Sequence, residues 1–222
     1  MTLRRSSDGF LGILMLDTRF PRPAGDVGQS ASWRMPVQYA VVRGASPQRI
    51  VMDDDRALLA PFVEAGRALV AAGARALTTS CGFLVRWQAA LEDALPVPVW
   101  TSSLLLLPTL SRAGVITVDA ARLGVDELRA AGAAPDTPVE GLAPGCHLQT
   151  TLLQDRPTLD AAQAEADTAD AAERLLRRHP QIEHVVLECT NLPPYAAAVR
   201  RATGRPVHHL MTLVHERWGS LS

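Results

Sequence analysis

The chain has 222 residues, of which 47% are hydrophobic and 20% charged, so it carries enough apolar material for a core and too little charge for a disordered chain. A formal net charge of −1 gives no electrostatic case for binding nucleic acid or an anionic membrane surface. All 22 basic residues are arginine, which excludes Schiff-base lysine chemistry and a covalently held pyridoxal phosphate.

In chain order, Arg4-Arg5 ahead of an apolar run has the look of a twin-arginine export signal. Only Leu11 to Leu16 is continuously apolar, Asp8 and Asp17 flank it, and no small-residue cleavage site follows, so a cytoplasmic location is expected. No run approaches the roughly 18 apolar residues of a membrane span. The apolar stretch 11-LGILML-16 reads as a buried strand ending on Asp17-Thr18. The segment 17–36 is too long and too rich in Pro and Gly for a simple turn, and reads as a lid or binding wall. There Arg19 would pair with a substrate carboxylate and Asp17 would orient an amine or a thiol, although Phe20 and Trp33 equally suit a subunit contact. Arg56 to Ala72 places Leu58, Leu59, Phe62, Val63, Ala65, Leu69 and Val70 at helical spacing, and Gly73 is a natural stop. Strands are predicted at 75–79, 97–100, 114–118, 184–188 and 207–211. Further helices are predicted over 83–94 and over 160–179, the last closed by Pro180. Short apolar strands alternating with helices predict an α/β fold with parallel sheets.

An internal repeat divides this pattern in two. The segment 12-GILMLDT-18 reads like 114-GVITVDA-120, and 77-LTTSCGFLV-85 aligns with 185-VVLECTNLP-193, cysteine on cysteine, 189 − 81 = 108 positions apart. Pro98-Val99 repeats at Pro206-Val207 with the same offset. The chain is therefore expected to form two pseudo-symmetric, flavodoxin-like or Rossmann-like halves, residues 1–111 with Cys81 and 112–222 with Cys189. The boundary is soft, and a final helix would be free to cross back.

Three cysteines, an odd number spread far apart, favour reduced thiols over a disulfide framework. Ligands of parallel sheets bind outside the carboxyl ends of the strands. Cys81 and Cys189 both fall there, each on a strand-to-helix turn whose free N–H groups would lower a thiol's pKa and cradle an anion. Thr79, Ser80, Gly82 and Phe83 surround one turn, and Thr190 and Asn191 the other. If the halves face each other, the two thiols flank one small carboxylate, and one removes its α-proton while the other returns a proton to the opposite face.

These residues resemble the aspartate/glutamate racemase superfamily over about residues 10–215, on the strength of Asp17-Thr18, the Cys81 turn, the Cys189-Thr190 turn and the duplicated architecture. The resemblance implies a cofactor-independent isomerase, a racemase or epimerase with a catalytic cysteine pair, acting in the cleft between the halves and pairing into a homodimer. Where amino-acid racemases of that group carry Cys-Asn-Thr, this chain has Cys81-Gly82-Phe83. That points away from free aspartate or glutamate and towards a larger or less polar acid against Phe83. Two other readings stay open: cis-trans isomerisation of an unsaturated diacid through a covalent cysteine adduct, and a ligand-binding or redox-sensing protein without turnover.

The remaining features have plainer readings. Cys146 reads as an ordinary small buried hydrophobe. His208 and His209 fall near the expected site at the end of the last strand, and His209 is a candidate to assist Cys189. No compact ligand spacing predicts a metal. Neither a Gly-x-Ser-x-Gly elbow nor a Gly-x-Gly-x-x-Gly turn is present, which disfavours a serine hydrolase and a dinucleotide fold.

Overall fold

A computed structural model describes residues 9–221; the Arg4-Arg5 pair lies outside the described residues. Two four-stranded parallel sheets organise the chain. The first contains β1 (Phe10–Leu16), β2 (Val37–Val42), β3 (Ala74–Thr79) and β4 (Val99–Trp100) in the order β2-β1-β3-β4. The second contains β5 (Ala113–Thr117), β6 (Val139–Gly141), β7 (His184–Leu187) and β8 (Val207–His208) in the order β6-β5-β7-β8. The orders are the same, so the repeat seen in the sequence is a repeat of topology, and the fold is the expected α/β one.

The central strands show why these residues form parallel sheets. All seven residues of β1 and all five of β5 are buried, because both faces of each sheet are covered and a continuous apolar run satisfies both. Alternate β1 side chains serve different cores. Leu14 and Leu16 join the cluster that runs through both halves, whereas Leu11, Ile13 and Met15 pack with Trp33, Trp100 and the last helix.

Two helices cover the inner faces at length. α1 (Leu59–Ala71) buries Phe62, Gly66 and Leu69, and its entry is fixed by Asp55, whose side chain accepts from the Ala57 N–H. α5 (Ala161–Arg178) starts on Asp160, which accepts from the Ala162 and Gln163 N–H groups. The other helices are α2 (Gln88–Ala94), α3 (Val125–Ala130), α4 (His147–Leu153), α6 (Ala196–Thr203) and α7 (Leu210–Trp218). No helix among the described residues is long and apolar enough to cross a membrane.

Three sequence expectations change. The helix predicted from Phe83 is a 3-10 segment, Gly82–Trp87, before α2 begins, because the chain turns tightly out of Cys81. The strand predicted over 207–211 stops at His208. His209 then caps α7, whose Leu210, Met211, Leu213 and Val214 pack on the first sheet, so the chain ends by crossing back. Finally, β2 and β6 occupy stretches without a predicted strand. They are edge strands, one only partly buried and one three residues long, and neither has the apolar run that marks a central strand.

Candidate active site

β1 and β3 of the first sheet and β5 and β7 of the second point their carboxyl ends at the seam between the halves. There Ser80 N–H donates to the Leu14 carbonyl at 3.0 Å, and Glu188 N–H donates to the Ile116 carbonyl at 2.8 Å. Ser80 and Glu188 are thus equivalent positions, 188 − 80 = 108 apart, each preceding its cysteine. Thr190 Oγ1 donates across the seam to the Ser80 carbonyl at 2.6 Å, and Ser103 Oγ to the Leu187 carbonyl at 2.7 Å, so the cysteine turns are stitched together.

Both thiols line one small cavity of about 30 Å³, room for one or two water molecules as it stands. Its walls are Leu16, Phe20, Val51, Phe83, Val118 and Leu152, and its polar groups come from Ser80, Glu188, Thr190, Asn191 and the thiols. No Arg, Lys or His occurs among the described residues that line it.

Cys81 and Cys189 are each 8% exposed. Burial, and then the charge of Glu188, push the Cys81 thiol up to about 12. Cys189 is raised well above its ordinary value for the same two reasons in the same order. The sequence led us to expect thiols lowered by their turns. The turns do contribute, since Phe83 and Leu84 N–H groups favour the Cys81 thiolate and Asn191 N–H the Cys189 thiolate, but desolvation wins. At rest both are thiols.

Glu188 is the site residue the sequence analysis missed. It is fully buried, its Oε2 accepts from Thr117 Oγ1 at 2.7 Å, and its Oε1 has no hydrogen-bond partner. Burial pushes its carboxyl up to about 7. It also explains the Cys81-Gly82 sequence: a Cβ at position 82 would collide with Glu188 Oε1 and with the Glu188 carbonyl, so only glycine fits. An acid closing an otherwise apolar buried strand, 184-HVVLE-188, was the signal available in the sequence.

The other proposed site residues divide. Ser80, Gly82, Phe83, Thr190 and Asn191 line the cavity with the cysteines. Ser80 Oγ accepts from the Leu16 N–H at 2.8 Å and keeps its own proton to donate. The Thr190 hydroxyl is engaged with Ser80. Thr79 lies outside the lining, its Oγ1 donating to the Thr101 carbonyl at 2.7 Å, so it stitches β3 to β4 rather than holding an anion.

Asp17, Thr18 and Arg19 are also outside the lining. Asp17 accepts from the Gly44 N–H at 3.0 Å and Thr18 from Arg22 at 3.0 Å. The Arg19 side chain, 76% exposed, pairs with Asp155 at 3.1 Å, so the residue pins its loop to the second half instead of facing substrate. His209 caps α7 away from the cavity, and burial holds its imidazole down at about 4, while His208 faces His184 at 3.1 Å. The 17–36 loop does reach the site, through Asp26. Asn191 Nδ2 donates to Asp26 Oδ2 at 2.7 Å, and Arg22 holds Asp26 Oδ1 at 2.9 Å. This fixes the Asn191 amide with its oxygen 3.7 Å from the Cys189 sulfur, where it accepts a hydrogen bond from the thiol. Among the described residues no group of three or more His, Cys, Asp or Glu side chains is arranged to hold a metal ion.

No protein-family model matches the chain. It is 28% identical over 227 residues to dimethylsulfoniopropionate lyase 7 of Emiliania huxleyi, covering 91% of this chain and 64% of that protein. It is 29% identical over 220 residues to a dimethylsulfoniopropionate lyase of Durusdinium sp. clade D, covering 89% of this chain and 70% of that protein. The chain thus spans about two thirds of the length of these relatives. Among solved structures, an allantoin racemase from Klebsiella pneumoniae superposes with a TM-score of 0.69 at 14% identity, covering 96% of this chain and 87% of the other. Unliganded arylmalonate decarboxylase gives 0.62 at 16% identity, covering 96% and 92%. At such identities the likeness is one of fold, and this chain has the two-sheet fold of that racemase and of that decarboxylase.

Proposed function

We propose that the protein is a cofactor-independent enzyme that removes the proton α to the carboxylate of a small acid and expels a β-substituent, a lyase acting on β-sulfonio carboxylates such as dimethylsulfoniopropionate. The observation that carries the carbon-acid chemistry is the one cavity that Cys81 and Cys189 line together. The relatives named dimethylsulfoniopropionate lyases favour elimination as its outcome.

Cys81 is the base, because two turn N–H groups support its thiolate against one for Cys189. The Cys81 thiolate takes the α-proton. The Cα–H electron pair becomes the Cα–Cβ double bond, the Cβ–S bond breaks, and dimethyl sulfide leaves with that bond's electron pair. Acrylate remains, and the proton on Cys81 returns to solvent. Charge that develops on the carboxylate oxygens during the step is met by the N–H groups of the cysteine turns.

A second reading, racemisation or epimerisation of a small carboxylic acid, is favoured by the presence of a thiol from each half in one cavity, since a two-sided site suits proton return to the opposite face. The absence of a cation among the described lining residues weighs against an unsaturated diacid, whose second carboxylate would meet Glu188 unneutralised.

The test is incubation of the protein with dimethylsulfoniopropionate in deuterated water. Equal amounts of dimethyl sulfide and acrylate, abolished by Cys81→Ser, are expected. Intact substrate that gains deuterium at Cα would show α-proton removal without elimination, and neither exchange nor release would overturn the elimination reading.

A further inference from the structure

The pseudo-symmetry of the two halves fails at one point that matters. Position 80 is serine, whereas its twin 188 is a fully buried glutamate. Glu188 leans across the seam onto Gly82, satisfies one oxygen on Thr117, and leaves the other, Oε1, without a partner at the cavity that both thiols line. A buried carboxylate oxygen left unmatched costs free energy in the empty site, and the groups that remove this cost most fully are a positive charge or a strong donor on a ligand. The neighbouring cation, Arg86, does not fill that role. It is engaged with Asp54 at 2.6 Å and with Glu127 at 2.8 Å, and it does not line the cavity.

Resting on the elimination reading for the reaction itself, we infer that Glu188 is the specificity-determining residue that receives the cationic end of the substrate, so that the site selects small carboxylates bearing a β-onium group, sulfonium or quaternary ammonium. The same contact activates the base. Glu188 is the second-largest influence holding up both thiols, after burial. A ligand cation seated against its carboxylate offsets that influence and makes Cys81 easier to ionise. Neutral acids and diacids bind without this relief.

The experiment compares two unreactive ligands of the same shape, 3-(trimethylammonio)propionate and 4,4-dimethylpentanoate, by calorimetric titration at about pH 8, where Glu188 is ionised. They differ in charge alone, neither offers an N–H or O–H donor, and neither has a sulfonium leaving group. The wild-type protein is expected to bind the cationic ligand at least about tenfold more tightly, as one close charge pair would give. Glu188→Gln is expected to bring the two affinities together.

A pH series on the wild-type protein covers the case in which the variant does not fold. The preference should shrink below about pH 6 as Glu188 takes up a proton. The two cysteines beside Glu188 remain protonated across that range, and the charged groups that act on it, Glu127 and Arg86, form an ion pair with each other. Equal affinity for the two ligands, no measurable binding of the cationic one, or a preference unchanged by both Glu188→Gln and pH overturns the assignment. Because neither ligand reports elimination, failure to release dimethyl sulfide with the charge preference intact would remove only the reaction and leave the role of Glu188.

Discussion

Glu188 carries a stability cost that can be measured directly. Burial lifts its carboxyl from 4.5 to about 7 in the folded protein. Between those values the native state keeps a proton that the unfolded chain has released, so stability is full below about pH 4.5 and falls as pH rises through about 7. A gap of 7 − 4.5 = 2.5 pK units, at 1.36 kcal/mol each, amounts to about 3 kcal/mol lost by the ligand-free protein on the alkaline side. Glu188→Gln keeps the shape and removes the titration. Urea unfolding of both proteins at a series of pH values isolates the effect, since every other titrating group is common to the two. The variant should gain on the wild type by about 3 kcal/mol between about pH 4.5 and pH 8, several degrees of melting temperature for a chain of this size. Parallel pH profiles for the two proteins would show that Glu188 titrates in the native state as it does in the unfolded chain, and would remove the basis for treating it as a group awaiting a counter-charge.

Three other substitutions test the geometry. Gly82→Ala drives a Cβ into the Glu188 side chain and carbonyl, so it should cost about 1–3 kcal/mol and most of the turnover. Because the carbonyl is part of the collision, adding Glu188→Ala should restore stability only in part. Asp26→Ala leaves the Arg22 side chain, 13% exposed, without its buried partner and frees the Asn191 amide, which should cost about 3 kcal/mol in denaturant unfolding and raise KM. Arg19→Ala removes a pair whose arginine is 76% exposed, so a change below about 1 kcal/mol with KM unaltered is expected, and a large rise in KM would place Arg19 at the substrate after all.

The cysteine pair and the two-sheet fold were legible in the sequence because they rest on local pattern. Buried parallel strands need continuous apolar runs, strand-to-helix turns leave their marks in short motifs, and a duplicated fold repeats those marks at a fixed offset of 108. The edge strands β2 and β6 were not legible, since a strand with one free side keeps no continuous apolar run. The site's charge was decided by tertiary structure alone. Ser80 and Glu188 occupy equivalent places in the repeat, and only the packing of one half on the other shows that Glu188 fills the space beside Gly82 with one oxygen unmatched. Packing likewise turned Arg19 towards Asp155 and gave Asn191 to Asp26. It also set the state of the thiols. A turn's N–H groups act over a few ångströms of local chain and can be read from sequence, whereas desolvation depends on everything that covers a side chain, and here it outweighs the turns and keeps both cysteines protonated.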